Sequence, residues 1–219
     1  MPLKQVNNEW ISISDLMAGI VSVIVMLLVV SILQQAINAS QQRLAERTDL
    51  IIQQELTSAI FKEIKEDFDK QNISSMVSFD FQNHKITFKE GIFQLGSARI
   101  TPLVQRALTN TKPKVTEFLD KLANGVIYIE GHSDNTPVLH PVLDKARYGA
   151  VYDDNYTLSA ARAREARNVL LGELDEKYGN RIIVAGYGYS KPLKGLDPSN
   201  AANRRIEIRF LLEQENHEN

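Results

Sequence analysis

Residues 16–33, LMAGIVSVIVMLLVVSIL, form a run of eighteen positions without a charged side chain. At a rise of 1.5 Å per residue, such a helix is about 27 Å long, close to the hydrocarbon thickness of a bilayer. Extending it back to residue 11 gives a span of 11–33, with Trp10 where an interfacial aromatic anchor belongs. A cleaved signal sequence is the competing reading. Against it, the run is longer than an ordinary signal core, Asp15 interrupts its start, Lys4 is the only basic residue ahead of it, and AINAS at 36–40 is a poor cleavage site. The expectation is an uncleaved single span in a lipid bilayer, with residues 1–10 as a short flank. Lys4 on one side and Arg43 and Arg47 on the other leave the positive-inside count nearly tied, so charge does not decide orientation.

Asp15 is the residue in this segment that demands a reason. A carboxylate at the centre of a span costs about 2.5–3.5 kcal/mol on insertion scales, and less near an end. At 100° per residue, Ser12, Asp15, Gly19 and Ser22 fall on one arc of about 80°, while Ile, Val, Leu and Met cover the rest. A small, polar stripe of this kind suits a protein neighbour or a wet pathway rather than lipid. Withdrawal from water disfavours the ionised form of a carboxyl group, which suits it to loading and releasing a proton. The plainer alternative is a carboxylate solvated at the headgroup boundary, five residues after Trp10.

Beyond the span, the chain from 34 to about 72 is polar and free of Gly and Pro. Ile37, Leu44 and Ile51 are spaced by seven, and Leu56, Ile60, Ile64 and Phe68 by four. The spacing predicts a helical connector over 34–75 that pairs with a second copy of itself, giving a homodimer, or else lies along the following domain. From 76 to 212 the pattern is that of an α+β domain. Alternating stretches at 76–81 and 85–88 flank Asn83-His84 as a hairpin. Helical periodicity at 102–122 is expected to break at Pro113. Strands follow at 126–130, 181–185 and 206–212, with a strong helix at 158–178. This order predicts a two-layer α/β sandwich with helices on one face of a mixed sheet. Residues 139–154 have no clear period and read as a surface loop, and 213–219 as an acidic tail.

Composition excludes several functions. Twenty-five Lys and Arg against 27 Asp and Glu leave a formal charge of −2, so no basic field recruits nucleic acid. The absence of cysteine removes thiol nucleophiles and cysteine-held metals. His84, His132 and His140 lack metal-ligand spacing, no phosphate loop of the G-x-x-x-x-G-K type occurs, and His132, Ser133 and Asp134 are adjacent and so cannot form a relay. The expectation is a chain that is not an enzyme and holds no metal or other cofactor.

Five motifs carry a resemblance. FQLGSARITP at 93–102 is followed by Gly131-His132-Ser133-Asp134, then NYTLSAARA at 155–163, then Gly186-Tyr187-Gly188 with Pro192, then Asn203-Arg204-Arg205. In this order they resemble the OmpA-like peptidoglycan-binding domain, over roughly residues 77–212. The resemblance implies that Asp134 takes the ammonium and Arg162 the carboxylate of the zwitterionic diaminopimelate end in a wall peptide. Asn155 and Leu158 would complete the pocket, backbone N–H groups at the helix start would add donors, and Asn203 and Arg205 would brace the site from behind. A guanidinium fork and a carboxylate are chemically apt for such a ligand. The 28-residue separation of Asp134 and Arg162 places the 139–154 insertion where it could reshape the pocket.

An Asp-bearing span joined to such a domain resembles MotB-type stator subunits. The run WISISDLMAG at 10–19, the absence of aromatics over 27–33 and the long helical connector look more like the ZorB family of the Zorya anti-phage system than like flagellar MotB. The resemblance implies two copies inside a pentamer of a multi-span ZorA-like partner. It also implies transport of H⁺ (or Na⁺) through Asp15, an N-terminus in the cytoplasm and a wall-anchored periplasmic domain at the bacterial inner membrane. The alternatives are a flagellar MotB-type stator subunit and a static wall anchor or envelope tether.

Overall fold

The computed structural model describes residues 9–71, 73–94 and 96–213, with all their side chains except those of Glu9, Ile11 and Ser12. Most of the short N-terminal flank and of the acidic tail thus lies outside the described residues. The chain divides into two compact units, Met1–Ile52 and Gln53–Asn219.

The first unit is helical. Helix α1, Glu9–Lys70, is 62 residues long, as expected of a stretch with no Gly or Pro after Gly19. Among the described residues it is the one helix long and apolar enough to cross a membrane, and none of its apolar stretch is buried within the chain. Ile37, Leu44 and Ile51 are exposed.

The second unit is built on a five-stranded sheet. Strands β1 (Val77–Asp80) and β2 (Lys85–Phe88) form a hairpin. Helix α2 (Pro102–Lys121) leads into β3 (Gly125–His132). The short α3 (Lys145–Tyr148) precedes α4 (Asn155–Leu171), and α5 (Asp175–Tyr178) precedes β4 (Ile182–Gly186); β5 (Arg205–Leu212) completes the order. The sheet order is β1-β2-β5-β3-β4. β3 and β4 are parallel and the other pairs antiparallel, which is the mixed sheet that the sequence predicts.

Alternation along the strands separates the two faces. Ile127 and Ile129 of β3, and Ile206, Ile208 and Phe210 of β5, enter the core with α2 and α4. The end of α1 enters the same core: Ile60, Phe61, Ile64 and Phe68 are at most 2% exposed. Phe61 meets Phe79 and Phe210 edge-on, and Phe68 meets Phe79 and Phe88. Edge-to-face aromatic pairs add stability beyond their burial. The folded unit therefore begins at Gln53 rather than at residue 76, because the stripe spaced by four is a core face and not a connector.

Two further expectations are corrected. Helix α2 runs unbroken through Pro113. Pro113 and Thr109, whose carbonyl loses its partner, are both exposed, so water can satisfy the carbonyl while Val104, Leu108, Val115 and Phe118 pin both halves to the core. The segment 139–154 is not a plain surface loop. Val142 and Tyr152 form an isolated antiparallel bridge, Asp144 caps α3, and Ala150 and Tyr152 are buried against Ala98, Leu158 and Ala161.

Helix α4 lies unusually close to the sheet. A Cβ on Gly131 would stand 2.0 Å from the Ser159 carbonyl oxygen, and one on Gly186 would stand 2.6 Å from the Ala160 nitrogen. Ser159, Ala163 and Ala166 supply the small buried face that permits this.

Two substitutions test this packing through the unfolding midpoint of the full chain in detergent. Phe68→Ala is expected to cost about 3–5 kcal/mol, whereas Leu44→Ala leaves the midpoint of the folded unit unchanged. Gly131→Ala is expected to cost at least the roughly 1–3 kcal/mol of an overpacked core, since the obstacle is helix backbone and no rotamer can relieve it.

Candidate functional site

Beyond the end of β3 the chain turns into a cleft of about 460 Å³ walled by the segment after β2, the end of β3, the insertion with α4 that follows it, and Arg204. The first wall is formed by Glu90–Gln94 and Gly96. Phe93 and Ile100 form an antiparallel bridge, and Ser97 N donates to the Gln94 carbonyl at 3.0 Å. Ser133 and Asp134 continue β3, α4 contributes Asn155, Leu158 and Arg162, and Val142 and Tyr152 come from the insertion. The insertion thus forms part of the cleft wall, and the Tyr152 hydroxyl donates to the Gly96 carbonyl across it.

Asp134 and Arg162, paired by the sequence reading, do line one cleft, at 4% and 8% exposure. The guanidinium of Arg162 lies over the Phe93 ring, 4.9 Å from its centroid, and its Nε donates to the Ser97 carbonyl at 3.0 Å. No hydrogen bond among the described residues takes its two terminal nitrogens. Burial, together with the charge of Arg204, brings its pKa down to about 10, with Tyr152, Asp134 and Glu90 opposing the shift. Arg162 is therefore cationic at neutral pH, with one edge held and the fork free.

Asp134 is not free. Its Oδ1 accepts from the Thr136 amide at 3.0 Å, and its Oδ2 is ion-paired with Arg204 Nη1. Arg204 in turn pairs through Nη2 with Glu90. The hydrogen bond from Arg204 to Glu90, helped by the one to Asp134, raises the Arg204 pKa above its ordinary value. Sequence reasoning missed Arg204 and Glu90. A signal for Arg204 was present: Ile206, Ile208 and Phe210 mark the core face of β5, so Arg205 must face the other side of the sheet. No local pattern marks Glu90.

The remaining expected residues fall in different places. Asn155 spends its side-chain amide on the carbonyls of Asp134 (3.2 Å) and Thr136 (2.8 Å), holding the turn that aims Asp134. Leu158 is part of the apolar floor. Asn203 does not line the cleft. Its Oδ1 accepts from the Leu193 amide at 2.8 Å and its Nδ2 donates to the Asp197 and Pro198 carbonyls, and Pro198 accepts from the Asn135 amide at 3.1 Å. Arg205 does not line the cleft either: it pairs with Glu207 at 2.6 Å in a second cavity on the opposite sheet face. At the start of α4 the Thr157 N–H is already taken, because the Asp154 side chain accepts from it in a capping box. The Ser133 hydroxyl, in a residue that lines the cleft, is buried with no hydrogen-bond partner among the described residues.

In the first unit, Asp15 and Gly19 share a shallow depression with Leu16, Ile20, Val23 and Ile24. Ser22 does not join them, and its hydroxyl donates to the Ala18 carbonyl at 2.8 Å. The side chain of Ser12 lies outside the described residues. Among the described residues, one set of groups has metal-ligand spacing, Glu130, His132 and Glu207, with ligand atoms within 4.8 Å of one another.

Comparison with known proteins agrees with this anatomy. The chain is 23% identical over 224 residues to Zorya protein ZorB of Escherichia coli (strain Crooks), a match covering 96% of this chain and 90% of that protein. The crystal structure of a MotB-like protein from Desulfovibrio vulgaris superposes with a TM-score of 0.53 at 21% identity, covering 74% of this chain and 99% of that one, and so shares the fold. The OmpA family model matches residues 92–205. That match takes in Phe93, Asp134, Asn155, Arg162 and Arg204 and covers more than half of the chain, and on this ground the chain belongs to the OmpA family.

Proposed function

We propose that this chain is a wall-anchored, ion-conducting subunit of a bacterial membrane motor of the ZorB kind, acting in defence against phage. The observation that carries the reading is Asp15, the lone carboxylate in the apolar stretch 11–33 of α1, in the same chain as an OmpA-family cleft. A static tether needs the helix and the cleft but has no use for the acid. The similarity to ZorB over 96% of the chain supports the ZorB assignment over flagellar MotB.

In this reading the span crosses the inner membrane with the N-terminus in the cytoplasm and the OmpA-family unit in the periplasm. Two copies sit within a pentamer of a multi-span, ZorA-like protein, which covers the apolar surface that α1 leaves exposed. Asp15 accepts H⁺ from the periplasmic side and releases it inward, and Gly19 leaves room beside the carboxyl for its approach. The chain performs no covalent chemistry. Its second unit resists torque by holding peptidoglycan.

The cleft suits that ligand by charge. Asp134 and Glu90 balance Arg162 and Arg204, so the site is neutral overall but strongly dipolar, which favours a zwitterionic group such as the diaminopimelate end over a simple cation or anion. The free fork of Arg162 takes the ligand carboxylate bidentately. The ligand ammonium shares Asp134 with Arg204, and the unpartnered Ser133 hydroxyl supplies a further contact.

Asp15→Asn is expected to reduce phage protection to that of cells lacking the protein while expression and assembly stay normal, measured by plaque counts and membrane immunoblots. Unchanged protection would leave only a tether. Asp134→Ala combined with Arg162→Ala removes two charged contacts of about 1.5–3 kcal/mol each, so retention of the full chain on purified peptidoglycan is expected to fall at least about tenfold. Full retention would place wall binding elsewhere.

A further inference from the structure

A second cavity, of about 510 Å³, opens on the sheet face turned away from the helices, and the wall-anchor reading makes no use of it. Its floor is the outward side of β3 and β5, where Glu130 and His132 stand beside Glu207, Arg205 and Arg209. The loop after β4 brings Lys191 and Lys194 over it, and β2 contributes Lys85. Five basic side chains therefore face two carboxylates, and both carboxylates are already engaged. Glu207 holds Arg205 at 2.6 Å and Lys85 at 3.2 Å, and Glu130 is paired with Arg209 and accepts from the Tyr187 hydroxyl at 3.3 Å.

Two groups in this cavity lack the partners that burial demands. His132 is 2% exposed, and neither ring nitrogen has a hydrogen bond among the described residues. Arg209 Nε is likewise buried and unpartnered, and it can only donate. The His132 ring is stacked on Tyr187, at 5.3 Å and 18°, which fixes its plane. We propose that this cavity binds an oxyanion, a carboxylate or phosphate group, which accepts from Arg209 Nε and from the His132 ring N–H within the field of Lys191 and Lys194.

A divalent cation is the competing occupant, since Glu130, His132 and Glu207 have ligand spacing. The local field opposes it. Arg205, Lys191 and Lys85 set positive charge around the His132 ring against the pull of Glu207, and burial together with these charges takes its pKa down to about 4. A cation would also have to strip both carboxylates of their present partners, at the cost of leaving buried guanidinium groups uncompensated. An oxyanion meets the unpaired donors and displaces nothing.

The test uses the full chain in neutral detergent, with its four histidines labelled with ¹⁵N in the ring. Inorganic phosphate, sodium acetate and zinc chloride are titrated separately at constant ionic strength. The expected result is a saturable shift of the His132 ring signals with phosphate or acetate, while exposed His140 stays still. Response to phosphate alone assigns a phosphate group, and response to acetate as well assigns a carboxylate. Lys191→Gln with Lys194→Gln, which removes two exposed charges and touches no buried pair, is expected to weaken the anion response at least about threefold, with unfolding unchanged. Arg209→Gln is expected to weaken it further. The proposal is overturned if neither anion moves His132 below about 50 mM, a concentration that reports even binding weaker than the millimolar range. A His132 response to zinc alone overturns it too.

Discussion

The cleft depends on how closely α4 approaches the parallel pair β3–β4. At Gly131 and Gly186 there is no room for a side chain between helix and sheet. The Ser159 hydroxyl then reaches the Gly188 amide at 2.9 Å, while the Ser133 amide donates to the Gly188 carbonyl at 2.8 Å. The first turn of α4 and the ends of both strands are thereby locked together. Arg162, two turns along the helix, and Asp134, two residues beyond β3, come to opposite sides of one space because nothing thicker than a hydrogen atom separates their elements.

Burying Asp134 and Arg162 beside that space is costly unless each has a partner, and the partly exposed Arg204 and the exposed Glu90 stand at its edge. The fold meets the requirement unevenly. Asp134, Arg204 and Glu90 form a closed chain of ion pairs, whereas Arg162 is held by one carbonyl and an aromatic face, with its fork left over. A site built only for stability would have spent that fork as well. The asymmetry makes Arg162 the position at which an incoming carboxylate meets least competition, and Asp134 the position at which a ligand must share.

Much of this was legible in the chain because it rests on period and local chemistry. The uncharged run at 16–33 declares a helix long and apolar enough to cross a membrane, alternation declares the strands, and Asp134 and Arg162 stand in motifs recognisable by their order. Arg204 could have been separated from Arg205 by the same alternation that marks Ile206, Ile208 and Phe210 as core. Other features carry no local signature. Glu90 enters the cleft through a contact 114 positions away in sequence. The burial of Tyr152 and the continuity of α2 through Pro113 both follow from what packs against them, and neither follows from propensity.

The hydropathy of residues 11–33, the solitary acid within them, the helical continuity of the next forty residues and the succession of strands and helices along the chain were determined by the sequence alone, since each follows from side-chain polarity read at a fixed backbone period. Tertiary structure decided where the helix stops being a connector and becomes core, at Gln53. It also decided that Glu90 meets Arg204, and that the insertion lines the cleft. Those outcomes depend on which surfaces meet across long sequence separations, and a one-dimensional pattern does not encode that meeting.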